Sequence, residues 1–354
     1  MKERRCLFKN LKKSINDDIS KIKIRIHRFR LSGPYLWSDL DGKIGKLKIN
    51  EVYNASERMP NYKKNAFVRF KNRNLSVFLN PKEGTLPQCI IELSYPYQKL
   101  LSNLQSELPR LKVSFAEYTI DIFFENHKNV KKYFNLIYRY IYFRNQKEMV
   151  LHSNKELDDD SRKINAWVFT DKMKLYERGP DKKINKGGYW LLNDVDRIRI
   201  ELKAKWRDLN SNGLNNLELF LKNPLFTSLL KNRFKFKRFK SSVNNVPSEY
   251  DDYYVKDSKG HSGAFQNQYL YLKDRKYVKN ISQSIEDVPE LLPLYYRILS
   301  KIDLREKKWL QKYEEINKDR IIKEKIIKKK TKWEVISLEE AMQMQKDLIA
   351  NNYS

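Results

Sequence analysis

Cysteine is nearly absent from this chain: Cys6 and Cys89 are the only two in 354 residues, too few for a disulfide framework or a zinc cluster. Glycine and proline are also scarce, at 10 and 11, which argues against disorder and against a loop-rich scaffold. No apolar run approaches the roughly 18 residues of a membrane span. The start, MKERRCLFKNLKKS, lacks the apolar core of a signal peptide. The four histidines (His27, His127, His152 and His261) are scattered, with no His-apolar-His pair and no HExxH. No phosphate-cradling glycine loop and no Gly-x-Ser-x-Gly elbow occurs, so ATP-driven and serine-hydrolase chemistry are disfavoured. These absences describe a soluble protein of a reducing compartment with no membrane partner.

Positive charge is what the chain has in excess. Lys and Arg number 72 against 44 Asp and Glu, a formal charge of +28. An AT-rich coding bias toward Lys, Asn and Ile explains part of this. It explains neither the shortage of acids nor the grouping of arginine with aromatics in RIHRFR and NRFKFKRFK. A polyanionic partner follows, nucleic acid ahead of a membrane surface. The length exceeds one typical domain, and 40% hydrophobic residues with 17 Phe and 22 Tyr supply a sizeable core.

Residues 1–20 read as a basic arm. The segment 22–31, IKIRIHRFRL, alternates apolar and basic residues as a half-buried strand does. Strands are expected at KIGKLKINEVY, and at NAFVRFKN and NLSVFLN, the last two joined as a hairpin through KNRN. CIIELSYPYQKLL predicts a short strand, a proline and a helix to about Glu107. Residues 110–126 form the longest strand candidate, and a helix over 129–143 places Val130, Phe134, Ile137 and Ile141 on one face. LHSNKELDDDSRK reads as an exposed acidic loop. A second cycle then runs as a strand from Asn165 to about Glu177, a GPDKKINKGG turn, a strand at 194–205 and a helix at GLNNLELFLKN. Such an order predicts an α+β fold, an antiparallel sheet with helices on one face. The comparable order of 44–145 and 163–222 suggests two fused similar α/β units. After Pro224 the chain turns helical; its C-terminal region carries a lysine run at Lys328–Lys330 and a capping-box spacing at Ser337 and Glu340.

Strand parity sorts the chemistry. In EYTIDIFF, Glu117, Thr119, Asp121 and Phe123 share one face; in RIRIEL, Arg197, Arg199 and Glu201 lie opposite Ile198, Ile200 and Leu202; in CIIELS, Glu92 lies with Ile90 and Ser94. Carboxylates in such apolar strands need a partner. Glu201 can neutralise Arg197 or Arg199 across the sheet; alternatively, Glu92, Asp121 and Glu201 jointly offer the oxygen ligands that suit Mg²⁺ or Mn²⁺. Tyr176 faces the same way as Lys174 and Arg178, among cations that would stabilise a tyrosinate or a phosphate. Arg233, Lys235, Lys237, Arg238 and Lys240 interleave with phenylalanines, either as phosphate contacts beside stacking aromatics or as the solvated face of an edge strand.

MKLYERGPD followed by VDRIRIELKA resembles the tyrosine and RxE-type strands of rolling-circle replication initiators of filamentous phages and of plasmids whose initiators lack the double-histidine motif. EYTIDIFF is similar to their Asp-bearing strand. CIIELSYPYQKLL resembles their strand with Ser-Pro-x-Lys-Leu-Leu, here varied to Tyr-Pro-Tyr-Gln. The resemblance covers about residues 40–225 and implies a catalytic nicking domain at 21–225, while the helical spacing beyond it gives a helical DNA-binding or accessory region at 226–300 and a basic helical tail at 301–354. It implies binding of a double-stranded origin and of single-stranded DNA, and nicking through Tyr176 with a 5′-phosphotyrosine link and a 3′-OH primer. Under it Asp121, Glu201 and Glu92 hold Mg²⁺ or Mn²⁺, Lys174 and Arg199 steady the phosphate, and Arg178 and Arg197 contact DNA. It implies host helicase and DNA polymerase as partners, in the host cytoplasm. A relaxase of a mobile element would use the same chemistry. A non-catalytic DNA-binding regulator would keep the fold alone, and an RNA-binding factor would explain the charge but not the carboxylate-bearing strands.

Overall fold

Strand β1 (Ile19–Gly33) pairs with strands on both sides, and on one side its register shifts at three places, at Ile19/Lys21, Ile26/Arg28 and Arg30/Leu31. Its alternation buries Ile22, Ile24 and Ile26, then Phe29 and Leu31. The change of phase comes from a bulge at His27, between the pairs Ile26↔Tyr118 and Arg28↔Glu117. A computed structural model supplies these coordinates. It describes residues 17–49, 59–71, 73–125, 127–144, 150–153, 166–169, 172–178, 197–224, 226–231, 233–240 and 285–318, with isolated positions between 265 and 283.

After β1 come a short helix α1 (Trp37–Leu40) and strands β2 (Lys48–Ile49), β3 (Tyr62–Phe70), β4 (Arg73–Pro81) and β5 (Cys89–Ser94), then helix α2 (Gln98–Glu107). Strand β6 (Lys112–Phe124) leads to helix α3 (His127–Tyr140) and strands β7 (Ile141–Phe143), β8 (Val150–Ser153), β9 (Ala166–Phe169), β10 (Met173–Arg178) and β11 (Arg197–Lys205). Helices α4 (Trp206–Ser211), α5 (Leu217–Lys222) and α6 (Phe226–Lys231) follow, then strands β12 (Phe234–Phe239) and β13 (Ile285–Asp287). Ten strands form one antiparallel sheet in the order β2-β3-β4-β5-β1-β6-β11-β10-β9-β8. The α+β expectation is met.

The sheet divides between β1 and β6 into two copies of one path. In each, a long central strand departs and a four-strand meander returns from the sheet edge to lie beside it; a helix follows. The first copy is β1 with β2–β5 and α2; the second is β6 with β8–β11 and α4. The duplicated unit is therefore real, but its boundaries are not the expected 44–145 and 163–222. Each copy begins with its central strand, which pairs with a strand far along the chain, and only that pairing reveals where the unit starts.

One face of the sheet is apolar and packs on helices. Phe29 meets Phe220 of α5 with ring centroids 4.9 Å apart, Tyr118 sits edge-on to Phe226 of α6 at 5.4 Å, and Phe124 stacks on Tyr133 of α3 at 5.1 Å. Val130, Phe134 and Ile137 are buried, as the helical spacing requires, and Ile141 is buried as the first residue of β7. The opposite face carries the charges.

Several local expectations are corrected. The stretch from Asn165 is two strands, β9 and β10, folded back antiparallel. The supposed acidic loop begins as β8, paired with β9. Helix α3 ends at Tyr140, and the next three residues form β7. β12 is not an edge strand: it is the centre of a small sheet ordered β13-β12-β7, with Phe234 and Phe236 buried. The basic arm ends before Ile19, where β1 begins. Most of that arm, the turn after Arg178, the lysine run and the C-terminal capping box lie outside the described residues.

The chain divides into two units, Met1–Glu306 and Lys307–Ser354. In the first, residues 292–306 are helical and bury Leu294, Ile298 and Ile302; in the second, residues 307–318 are helical. Among the described residues no helix is long and apolar enough to cross a membrane. Phe29, fully buried under Phe220, is the sharpest test of the packed face. Phe29→Ala is expected to lower unfolding free energy by about 3–5 kcal/mol, read from urea denaturation.

Candidate active site

Register across four strands assembles the charged face. One row reads Lys23 (β1), Asp121 (β6), Arg199 (β11) and Tyr176 (β10). The next reads Arg25, Thr119, Glu201 and Lys174. Beyond it, the bulge presents His27 beside Glu117. The expected residues Tyr176, Lys174, Arg199, Asp121 and Glu201 are thus brought together from strands far apart in sequence, with Arg197 along the same face.

Asp121 is fully buried and held by arginine. Arg199 grips it with two parallel bonds, Nε to Oδ1 at 2.5 Å and Nη2 to Oδ2 at 2.9 Å. Arg25 donates Nη2 to Oδ2 at 2.6 Å, and Arg197 Nε lies 3.4 Å from Oδ1. Burial works to raise this carboxyl's pKa, but Arg199 first, then Arg25 and Arg197, outweigh it and hold the group below the usual carboxylate range. The guanidinium of Arg199 moves the opposite way, upward, because its bond to Asp121 overcomes its own burial.

Tyr176 is 7% exposed, and its hydroxyl donates a short hydrogen bond to Oε1 of Glu201. The same carboxylate oxygen lies 3.7 Å from Arg199 Nη1 and 3.7 Å from His27 Nδ1. His27 Nδ1 also donates to Glu117 Oε1 at 2.7 Å. Burial pushes Glu117 up, yet its bond to His27 leaves it below its ordinary value. Lys203 is lowered by burial and then by Lys174. Among the described residues, Arg199 Nη1, Arg25 Nε and Thr119 Oγ1 are buried and have no hydrogen-bond partner. Unpaired buried donors in one patch are costly, and an oxygen-rich ligand would satisfy them.

His27, Glu117 and Glu201 each offer one ligand atom within 4.8 Å of the others. An imidazole with two carboxylates fits Mn²⁺ better than Mg²⁺, which prefers oxygen alone. A cation there would take the place of the His27–Glu117 hydrogen bond, with Nδ1 of His27 turned from donor to ligand by carrying the ring proton on Nε2. Only Glu201 of the three expected ligands belongs to this group. Asp121 is occupied by its arginines. Glu92 is bound by Arg30 Nε at 2.7 Å, with Arg28 at 3.9 Å, on a strand roughly 14 Å of sheet from β11.

Tyr95 roofs the site from the β5–α2 turn. Its ring centroid lies 4.9 Å from that of His27, with the Arg25 guanidinium 5.3 Å above it, and its N–H donates to His27 O at 2.8 Å. Its φ of 49°, immediately before Pro96, is a strained setting for an aromatic residue.

The remaining expected contacts lie elsewhere. Arg178 pairs in register with Arg197, and its side chain lies outside those described. On β12 and just before it, Arg233 bonds Asp208 at 2.9 Å, Lys237 bonds Asp287 at 2.8 Å and Arg238 bonds Glu286 at 2.7 Å. Lys235 and Lys240 are exposed. Of the phenylalanines between them, Phe234 and Phe236 are buried, and half-buried Phe239 lies 5.0 Å from Phe265, ring centre to ring centre.

Sequence reasoning overlooked His27, Arg25 and Glu117 as site residues. The signal was the broken alternation at Ile26-His27-Arg28-Phe29, where two polar residues in succession mark a bulge.

No family profile and no curated protein matches this chain. Among solved structures, the rolling circle replication initiator protein from Geobacillus stearothermophilus is similar at 12% identity and a TM-score of 0.36, over 73% of this chain and 98% of that one. A likeness this distant carries no argument about activity.

Asp121 supplies an acid-stability test. Its depressed pKa means that its contribution to stability is present above the unfolded value of about 3.9 and is lost as pH falls through the lower folded value. Asp121→Asn is expected to flatten that acid limb in pH-dependent urea melts. Asp121→Ala, which strands buried Arg199, is expected to cost about 3–5 kcal/mol at neutral pH.

Proposed function

We propose that this protein is a replication initiator that nicks one strand of DNA at a double-stranded origin, with Tyr176 as the nucleophile. The observation that carries the reading is the hydrogen bond from the Tyr176 hydroxyl to Glu201, within a group of residues able to hold a divalent cation. A phenol is a weak nucleophile at neutral pH, and a carboxylate in contact with it can accept its proton as attack begins.

In this mechanism the Tyr176 oxygen attacks phosphorus and its proton passes to Glu201. The bond from phosphorus to the 3′ oxygen breaks, and that oxygen takes a proton from water. The products are a 5′-phosphotyrosine and a free 3′-OH that primes synthesis. The ester keeps the phosphodiester energy, so no nucleotide cofactor is needed. A bound Mn²⁺ or Mg²⁺ would polarise the scissile phosphate. His27, Glu117 and Glu201 would hold it, in place of the set with Asp121 and Glu92. Asp121 then acts through Arg199, which it orients; Arg199 Nη1, Arg25 Nε and Thr119 Oγ1 supply unpaired donors for phosphate oxygens. Lys174, opposite Glu201 in register, adds positive charge beside them. Arg25 and Arg28, with side chains 36% and 40% exposed, extend a cationic surface for the strand. Host helicase and polymerase are the partners that such a primer requires, in the cytoplasm of the host.

The burial of Tyr176 and the arginine cage around Asp121 also suit a second reading, a DNA-binding regulator without chemistry. Supercoiled DNA carrying the protein's own origin separates the two. With Mn²⁺, wild type is expected to yield nicked circles and a detergent-stable protein adduct at the 5′ end, and Tyr176→Phe neither. Nicking by Tyr176→Phe at the wild-type rate would remove the tyrosine from its role. Specific binding without nicking under any divalent metal would leave the regulator.

Metal binding is tested separately by thermal unfolding. Mn²⁺ at a hundredfold excess over its Kd is expected to stabilise wild type by about 2.7 kcal/mol. Glu117→Gln and His27→Ala should lose most of that gain, whereas Glu92→Gln should keep it.

A further inference from the structure

A cavity of about 1060 Å³ opens where β1 ends and β5 and β6 begin, well away from Tyr176. It is as large as the pockets that enclose nucleotide-sized molecules. Its lining includes Ser32, which pairs with Lys112, two positions beyond Arg30 on the charged face. From Thr119, beside Glu201, to Lys112 is seven residues of β6, about 23 Å at 3.3 Å per residue. Arg28 and Arg30 occupy the interval with Lys203 and Lys205 of β11, four cations against the carboxylates of Glu92 and Glu117, and the Arg30 guanidinium lies 5.1 Å above the Phe115 ring. A cationic track thus joins the candidate active site to the cavity.

The cavity's chemistry is selective. Tyr62, Leu86, Pro87 and Trp206 make an apolar wall, and Trp206 remains 41% exposed, a large aromatic surface left to water. The Tyr62 hydroxyl is taken by Pro87 O at 2.9 Å, and burial pushes its pKa to about 12, so this wall stays neutral. Among the described residues Arg110 and Lys112 are the only charged ones in the lining, and neither has an acidic partner there. Amides complete the rim. Asn216 uses its side-chain oxygen to cap α5, accepting from the N–H groups of Glu218 and Leu219 at 2.8 and 3.1 Å, which leaves its NH₂ to donate. Gln88 and Asn61 are exposed beside it.

An aromatic wall, a pair of unneutralised cations and a few amides match one ligand chemistry: a planar heterocycle carrying an anion. We infer that this cavity receives a single unpaired nucleobase, with Arg110 and Lys112 on its phosphate and Trp206 against its ring. The occupant comes from the same strand that crosses the charged face, several nucleotides from the scissile phosphate. This rests on the reading of that face as a DNA surface. The cavity would make a base distant from the cut part of what the protein recognises, with Asn216, Gln88 and Asn61 reading its edge.

The test uses the full-length protein and the mononucleotides dAMP, dGMP, dCMP and dTMP, followed by NMR or calorimetry. At least one is expected to bind saturably. Trp206→Ala should weaken it at least about fivefold, near the lower end of what base stacking on an aromatic contributes, with Trp206→Phe restoring most of the loss. The double variant Arg110→Glu, Lys112→Glu alters only exposed side chains and should weaken binding at least tenfold. Tyr176→Phe should bind as wild type does. Absence of saturable binding by all four nucleotides overturns the inference, as does unchanged affinity in the double charge variant. The two proposals fail separately: a protein that nicks but binds no mononucleotide loses the pocket alone, and one that binds in this pattern but never nicks loses the nicking chemistry alone.

Discussion

A carboxylate buried in the middle of a sheet organises this protein. Asp121 has no contact with water, so its charge persists only because guanidinium groups from both neighbouring strands surround it. Those contacts bind β1, β6 and β11 in one register. Arg199, gripped in two places by Asp121, presents its remaining nitrogen toward Glu201, and Glu201 in turn holds the hydroxyl of Tyr176. The chain of contacts from Asp121 to the phenol is continuous. Loss of the first link would disturb the last without touching it.

The two copies of the strand path put similar parts to different uses. Glu92 on β5 stands on the topological counterpart of the strand that carries Glu201, since each strand closes its meander against its own central strand. In the first copy the central strand places Arg30 opposite, and the carboxylate is neutralised. In the second copy the central strand contributes acids, and the cations move to the returning strand. The first copy is therefore a cationic surface with a cavity at its end. The second concentrates the groups suited to proton transfer and metal binding. Both depend on a sheet with one face given wholly to packing, as Phe29 against Phe220 and Tyr118 against Phe226 illustrate.

Much of this was legible in residue order. Alternation marked β1, the β3–β4 hairpin, β5, β6 and β11, and it assigned Arg197, Arg199 and Glu201 to one face opposite Ile198, Ile200 and Leu202. Helical spacing marked α3 down to its buried residues. The return between β9 and β10 was missed because Ala166–Phe169 and Met173–Arg178 read as one apolar run. β12 looked like a solvated edge because its lysines and arginines alternate. Their acidic partners Asp287 and Glu286 come from about 50 residues later, beyond any local pattern.

Which face a side chain takes follows from a period of two along one strand, a property of neighbouring residues, and for Tyr176, Lys174 and Glu201 the order of residues was enough to state it. Which groups meet across the sheet follows from register, and register joins residues far apart: Arg25 and Asp121 are 96 positions from each other, Arg199 and Asp121 are 78. The bulge at His27 shifts that register by one residue and turns an isolated histidine toward Glu117 and Glu201. Only the folded sheet could bring His27 to Glu117 and Glu201 while leaving Asp121 and Glu92 on arginines, because which groups meet is a fact about distances between strands.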